Sequence, residues 1–210
     1  MLIVKRIVNT PVTSNCFVIY DSSDESRCII VDPGTKNNEE LLAFISSHGL
    51  IPKYIILTHE HFDHCWGVNS LVEKYGIPIV CSQLCSEAIQ FAKRNCSVFY
   101  DNSDAFTIVS KTISVESLEM CLSFLNKGIH FYSTPGHTKA CICFLLEHFL
   151  FTGDTLIKDE RTVTKLPTSS VTQLKESLKC MKGMQGKGYV VYPGHGDVFG
   201  LDGYDINNAL

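Results

Sequence analysis

The stretch THEHFDHCWG, residues 58–67, follows directly on the apolar run YIIL at 54–57 and puts three histidines, an aspartate, a glutamate and a cysteine within ten residues. An apolar run that ends in a polar turn is what a buried strand looks like where it leaves the core. Imidazole and carboxylate donors gathered at such a strand end have both the reach and the rigid support that metal binding needs.

The same logic recurs three times further on: TPGHT after IHFYS, TGDT after FLF, and PGHG after YVVY. Each has an apolar strand, a glycine or proline turn, and a His or Asp standing at the turn. The recurrence singles out His59, His61, Asp63, His64, His137, Asp154 and His195 as metal ligands. His48, His130 and His148 do not sit on glycine turns after strands and read as hydrogen-bonded structural residues.

HEHFDH matches the HxHxDH signature of the metallo-β-lactamase superfamily. TPGHT, FTGDTL and YPGHG resemble its three later motifs in the same chain order, and the opening strands ending in VDPG resemble its N-terminus. The resemblance implies one domain over residues 1–210, an α/β fold built as a four-layer αββα sandwich with two mixed β-sheets flanked by helices. It also implies a dinuclear centre, with His59, His61 and His137 on one metal, Asp63, His64 and His195 on the other, and Asp154 between them. Asp63 is expected to serve catalysis as well as coordination. Two dications roughly 3.5 to 4 Å apart are tolerable only with bridging anions, and a bridging hydroxide is the implied nucleophile. Zinc suits these two divalent sites best, and iron or manganese also fits imidazole and carboxylate donors. Cys65 is not needed in this set and is expected to pack behind it. Glu60 and Phe62, alternating away from the ligands, are expected at the surface and in the core.

Departures from the superfamily's branches narrow the activity. Antibiotic-hydrolysing members place cysteine or serine where Asp154 stands, and flavodiiron proteins carry glutamate at the position of His61. FLFTGDTL is closest to the glyoxalase II-like group, so the expected reaction is hydrolysis of a thioester or related ester, as in hydroxyacylglutathione hydrolase. A mononuclear iron persulfide dioxygenase and a lactonase share the ligands and are the alternatives. The segment IKDERTVTKLP replaces the glycine-rich stretch of glyoxalase II; within it Arg161 and Lys165 are candidates for steering an anionic substrate.

The formal net charge of −4, with lysines and arginines scattered, gives no basic stripe for nucleic acid. Lys5 and Arg6 interrupt the first apolar run, and stretches such as CICFLL are too short to span a bilayer, so a cytoplasmic protein acting on a small molecule is expected. The ten cysteines form no repeated CxxC pair and mostly lie among apolar neighbours, as small hydrophobes do.

For local structure, the pattern predicts a meander of three strands with a DSSDES turn between the last two, then a helix over 38–48 and a strand over 53–57. A helix over 68–75 stopped by Gly76 and a strand at IPIVC follow. Three strands at GIHFYST, CICFLLE and FLFTG, a helix over 171–181 and a last strand at YVVYPG complete it. CICFLL, apolar at consecutive positions, should be a central strand. The middle is the least legible part, read as a helix over 86–94 and strands in AFTIVSKTISV.

Overall fold

The computed structural model describes residues 1–22, 26–115 and 121–210. The centre of the expected DSSDES turn, residues 23–25, lies outside them. The chain divides into two compact units: Met1–Cys81 with Cys85–Ser114, and Ser82–Leu84 with Val115–Leu210.

The first unit holds β1 (Leu2–Val8), β2 (Asn15–Asp21), β3 (Arg27–Val31), α1 (Glu39–Ser47), β4 (Ile51–Ile56), α2 (Phe62–Cys65), α3 (Val68–Tyr75) and β5 (Ile79–Cys81). After α4 (Gln83–Ala88) come α5 (Ser97–Tyr100) and β6 (Thr112–Ser114). Its six strands pair in sequence order; β1, β2 and β3 are antiparallel, and β3 to β6 run parallel. The switch follows from the connections, because tight turns join antiparallel neighbours whereas parallel strands need crossovers, here provided by α1 and α3. Leu41 and Ile45 on α1, and Val68 and Leu71 on α3, are the buried positions, at the spacing of one helical face. Gly76 ends α3 in the left-handed region, φ 65°, as the glycine stop predicts.

The second unit holds β7 (Cys121–Phe124), β8 (Lys127–Ser133), β9 (Ile142–Leu146), β10 (Phe149–Gly153), α6 (Val171–Lys182), β11 (Val190–Pro193) and β12 (Phe199–Gly200), with sheet order β12-β11-β10-β9-β8-β7. β10 and β11 are parallel, joined across α6, and the other pairs are antiparallel. All five residues of β9 are buried, as expected for the interior strand that CICFLL predicts. Leu174, Leu178 and Met181 of α6 pack with Cys143, Leu145, Leu150 and Val191 from one face of the sheet. Phe131, Phe144 and Phe151 stand together in the sheet, with Phe144 and Phe151 stacked at 4.4 Å. Among the described residues, no helix is long and apolar enough to cross a membrane.

The middle departs from the expectation. The helix predicted over 86–94 is displaced to Gln83–Ala88, and only Thr112–Ser114 of AFTIVSKTISV forms a strand. Beyond Ala88 the backbone bonds tighten, the Phe91 N–H donating to the Ala88 carbonyl and the Arg94 N–H to the Phe91 carbonyl, so the α-helical ladder ends there. The buried Asn95 closes the segment: its side-chain oxygen accepts from the Ser97 backbone N–H and its amide donates to the Phe106 carbonyl, both at 2.9 Å. Phe91 and Val109, which fall within these two expected elements, are exposed.

Candidate metal centre

In the first unit β4 runs into Leu57 and Thr58, and the chain turns through His59–Glu60–His61 before Phe62 opens α2. His59, His61 and His64 are buried. The ring of His59 lies 4.8 Å from that of His61 and 4.2 Å from that of His64, and Asp63 Oδ2 is 3.6 Å from His64 Nε2. Four predicted ligands therefore meet at one strand end.

Asp32, read from the sequence only as the end of a strand, organises them. Buried and at φ 47°, it accepts from the Thr58 backbone N–H (2.8 Å), the Thr58 hydroxyl (2.6 Å) and His64 Nδ1 (3.1 Å). A carboxylate only accepts, so His64 must carry its proton on Nδ1 and its lone pair on Nε2. The Thr58 hydroxyl, its own proton committed to Asp32, can only accept from His59 Nδ1 at 3.1 Å, which fixes His59 in the same tautomer. Metal-ligating imidazoles are oriented in this way, one nitrogen held by an oxygen and the other left to coordinate.

The second unit brings His137, Asp154 and His195 together. β8 delivers the TPGHT turn, β10 the GDT turn and β11 the PGHG turn, and the Gly194 N–H donates to the Gly153 carbonyl at 2.8 Å, aligning the last two. Gly136 has φ 155°, and a Cβ there would lie 2.5 Å from Leu174 Cα, so only glycine lets the turn rest on α6. Asp154 Oδ2 is 3.5 Å from His137 Nε2 and 3.5 Å from His195 Nε2. His137 Nδ1 lies 2.9 Å from the Val163 carbonyl, an acceptor only, so its proton is on Nδ1 and its Nε2 lone pair faces the carboxylate. Two acceptors facing one another repel unless a cation or a proton lies between them. The donors in each unit thus have the chemistry that divalent-metal coordination requires.

Arg161 and Lys165 are exposed. They flank Val163, whose carbonyl holds His137, in a segment also pinned by the Thr162 hydroxyl donating to the Thr155 carbonyl at 3.1 Å. His48, His130 and His148 are exposed, and His48 rests on Phe44 with ring centroids 4.1 Å apart. Cys65 is buried and its thiol donates to the Glu60 carbonyl; burial is the main cause pushing it well above the ordinary thiol range. Burial likewise pushes Cys143 up to about 12, so both are neutral packing groups at neutral pH. Glu60 is a correction: it is 5 % exposed, not at the surface, because the chain turns after Thr58 and strand alternation no longer applies. Phe62, expected in the core, is only partly buried.

Sequence reasoning missed Asp32, Thr58 and the Val163 carbonyl as partners of the ligands. Asp32 and Thr58 left a trace, since a buried carboxylate in VDPG and a hydroxyl before the first histidine were both in view. A backbone carbonyl leaves none.

The chain belongs to the metallo-β-lactamase superfamily, a family of metal-dependent hydrolases whose model matches residues 9–195, and the two mixed sheets with flanking helices are that fold. Among curated proteins it is similar to a hydroxyacylglutathione hydrolase of Klebsiella pneumoniae, 29% identical over 151 residues, covering 72% of this chain and 51% of that protein. A second hydroxyacylglutathione hydrolase, from Pectobacterium carotovorum, is 28% identical over 152 residues, with the same coverage. The chain thus spans about half the length of these curated relatives. Among solved structures, BLEG-1 B3 metallo-β-lactamase superposes with TM-score 0.85 at 25% identity, covering 95% of this chain and 94% of that one. TTHA1623 in a di-iron-bound form gives TM-score 0.74 at 25% identity, covering 94% of each chain. ETHE1 from Myxococcus xanthus, at 19% identity, gives TM-score 0.75 over 99% of this chain and 88% of that one, a likeness of fold.

Proposed function

We propose that the protein is a thioester or related ester hydrolase of the hydroxyacylglutathione hydrolase type, working with two divalent metals, zinc best suited among them. The observation that carries the reading is Asp154, one of whose carboxylate oxygens is equidistant from the imidazole nitrogens of His137 and His195. A carboxylate so placed suits a bridging role, with His59, His61 and His137 serving one metal and Asp63, His64 and His195 the other. The names of the curated relatives favour a thioester over other carbonyl substrates.

Bound divalent metal would supply an activated water at neutral pH and a Lewis acid for the substrate carbonyl. The chain's own residues do the rest. Asp32 and Thr58 hold His59 and His64 in the ligating tautomer, Val163 does so for His137, and the Asp63 carboxylate offers an oxygen that can receive a proton during turnover. Arg161 and Lys165 attract the carboxylates of an anionic small-molecule substrate, and no nucleic acid or membrane partner is part of the reading.

The test is a panel of lactoylglutathione, an acyl-homoserine lactone, a β-lactam and glutathione persulfide, assayed with protein of measured metal content. Free thiol released from lactoylglutathione, abolished by chelator and restored by metal, is the expected result. Oxygen uptake with the persulfide and no thioester cleavage would replace this reading with the dioxygenase, and lactone opening alone with the lactonase. Arg161→Ala should raise KM for lactoylglutathione about fivefold, the scale of one exposed charge contact, and change kcat much less. An unchanged KM dismisses the steering role.

A further inference from the structure

Four aromatic rings in the first unit form one cluster beginning inside the ligand motif. Phe62, between His61 and Asp63, stacks on Tyr100 with centroids 4.8 Å apart and an interplanar angle of 29°. Trp66 meets Phe62 edge-on at 5.6 Å and Tyr100 edge-on at 5.7 Å, so the three rings close a triangle, and Phe106 extends it by lying parallel to Trp66 at 6.0 Å. Packing alone would favour burying these rings, yet Tyr100 is 47 % exposed and its neighbour Phe99 69 %. Phe62 and Trp66 are partly exposed as well. The cluster therefore presents aromatic surface to solvent within one residue of two ligands.

We propose that Phe62, Trp66 and Tyr100 form a specificity surface for a planar, apolar acyl group, so that the preferred substrate is an aryl or arylacyl thioester rather than a small hydroxyacyl one. The proposal rests on the thioester reading given above. Offset and edge-to-face ring contacts reward a further aromatic ring and offer nothing to a hydroxyl-bearing two- or three-carbon acyl group. Tyr100 lies in α5, away in sequence from the ligand motif that carries Phe62 and Trp66.

Trp66 is the sole tryptophan, so its fluorescence reports directly on the cluster without turnover. Titrating metal-loaded protein with phenylacetate, the acid product of a phenylacetyl thioester, should give a saturable change in Trp66 emission. Lactate at equal concentration should give none. In kinetics, Tyr100→Ala should reduce the preference in kcat/KM for S-phenylacetyl- over S-lactoylglutathione about fivefold, the worth of one aromatic contact, while Tyr100→Phe, which keeps the ring, should retain it. Metal content measured on each variant separates a lost acyl contact from a disturbed ligand loop. A preference for the lactoyl substrate in the unaltered protein, or equal losses on both substrates in Tyr100→Ala with full metal, overturns the proposal. A Trp66 response with no thioester cleaved would sink the hydrolase reading and leave the aromatic surface standing. Thioester cleavage with no acyl preference and no Trp66 response would do the reverse.

Discussion

Asp32→Asn is expected to bind metal ten- to a hundredfold more weakly than the unaltered protein, with activity falling in step. The carboxylate receives three donors, and an amide has one oxygen with which to receive them. Whichever way the amide is turned, its NH2 faces either the Thr58 N–H or the pair formed by the Thr58 hydroxyl and His64 Nδ1. His64 can escape that clash by moving its proton to Nε2, and so loses the lone pair that coordinates. Asparagine tolerates the left-handed backbone at φ 47°, so backbone strain offers no competing explanation. Competition against a chelator of known affinity measures the effect, with circular dichroism to confirm the fold. Unchanged affinity would remove Asp32 from the site.

Gly34→Ala should be the more damaging change for the fold. A Cβ there would lie 1.6 Å from the Asp63 carbonyl oxygen, 2.5 Å from its carbon and 2.8 Å from Asn9 Nδ2. The first two atoms are backbone and cannot swing away. The same Asp63 carbonyl accepts from the Ser14 hydroxyl at 2.5 Å, and Asn9 donates to that hydroxyl and to the Asp32 carbonyl. The loop from β1 to β2, the VDPG turn and the ligand loop therefore meet at Gly34. Forcing them apart is expected to cost about 3 kcal/mol or more, at the upper end of overpacking penalties. Urea denaturation measures the loss, and metal content should fall with it because Asp63 is displaced. A wild-type midpoint would show that this region yields more easily than its geometry implies.

The two changes illustrate why parts of the site were legible and parts were not. The candidate ligands announce themselves because each stands on a local signal, an apolar strand running into a polar turn, and local signals survive in a linear string. The partners of the ligands do not. Asp32 and His64 are thirty-two positions apart, and Val163 acts on His137 through a carbonyl that every residue possesses. Glu60 was misplaced for a related reason, since alternation holds only while a strand lasts. The helix expected over 86–94 ends at Ala88 because the backbone bonds beyond it tighten to the i→i−3 pattern, Phe91 to Ala88 and Arg94 to Phe91, which residue type alone does not show.

Taken by itself, the sequence determined the type of element at nearly every apolar run, the interior position of β9, the superfamily, and the seven residues with ligand chemistry. Those follow from periodicity, turn residues and motif, all written in near neighbours. Only the tertiary structure decided which imidazole nitrogen carries the proton, why Gly34 and Gly136 admit no side chain, and that Phe62 joins a partly exposed aromatic cluster with Tyr100. Each of those depends on groups brought together from distant parts of the chain, where hydrogen-bond direction and packing distance, rather than residue type, settle the outcome.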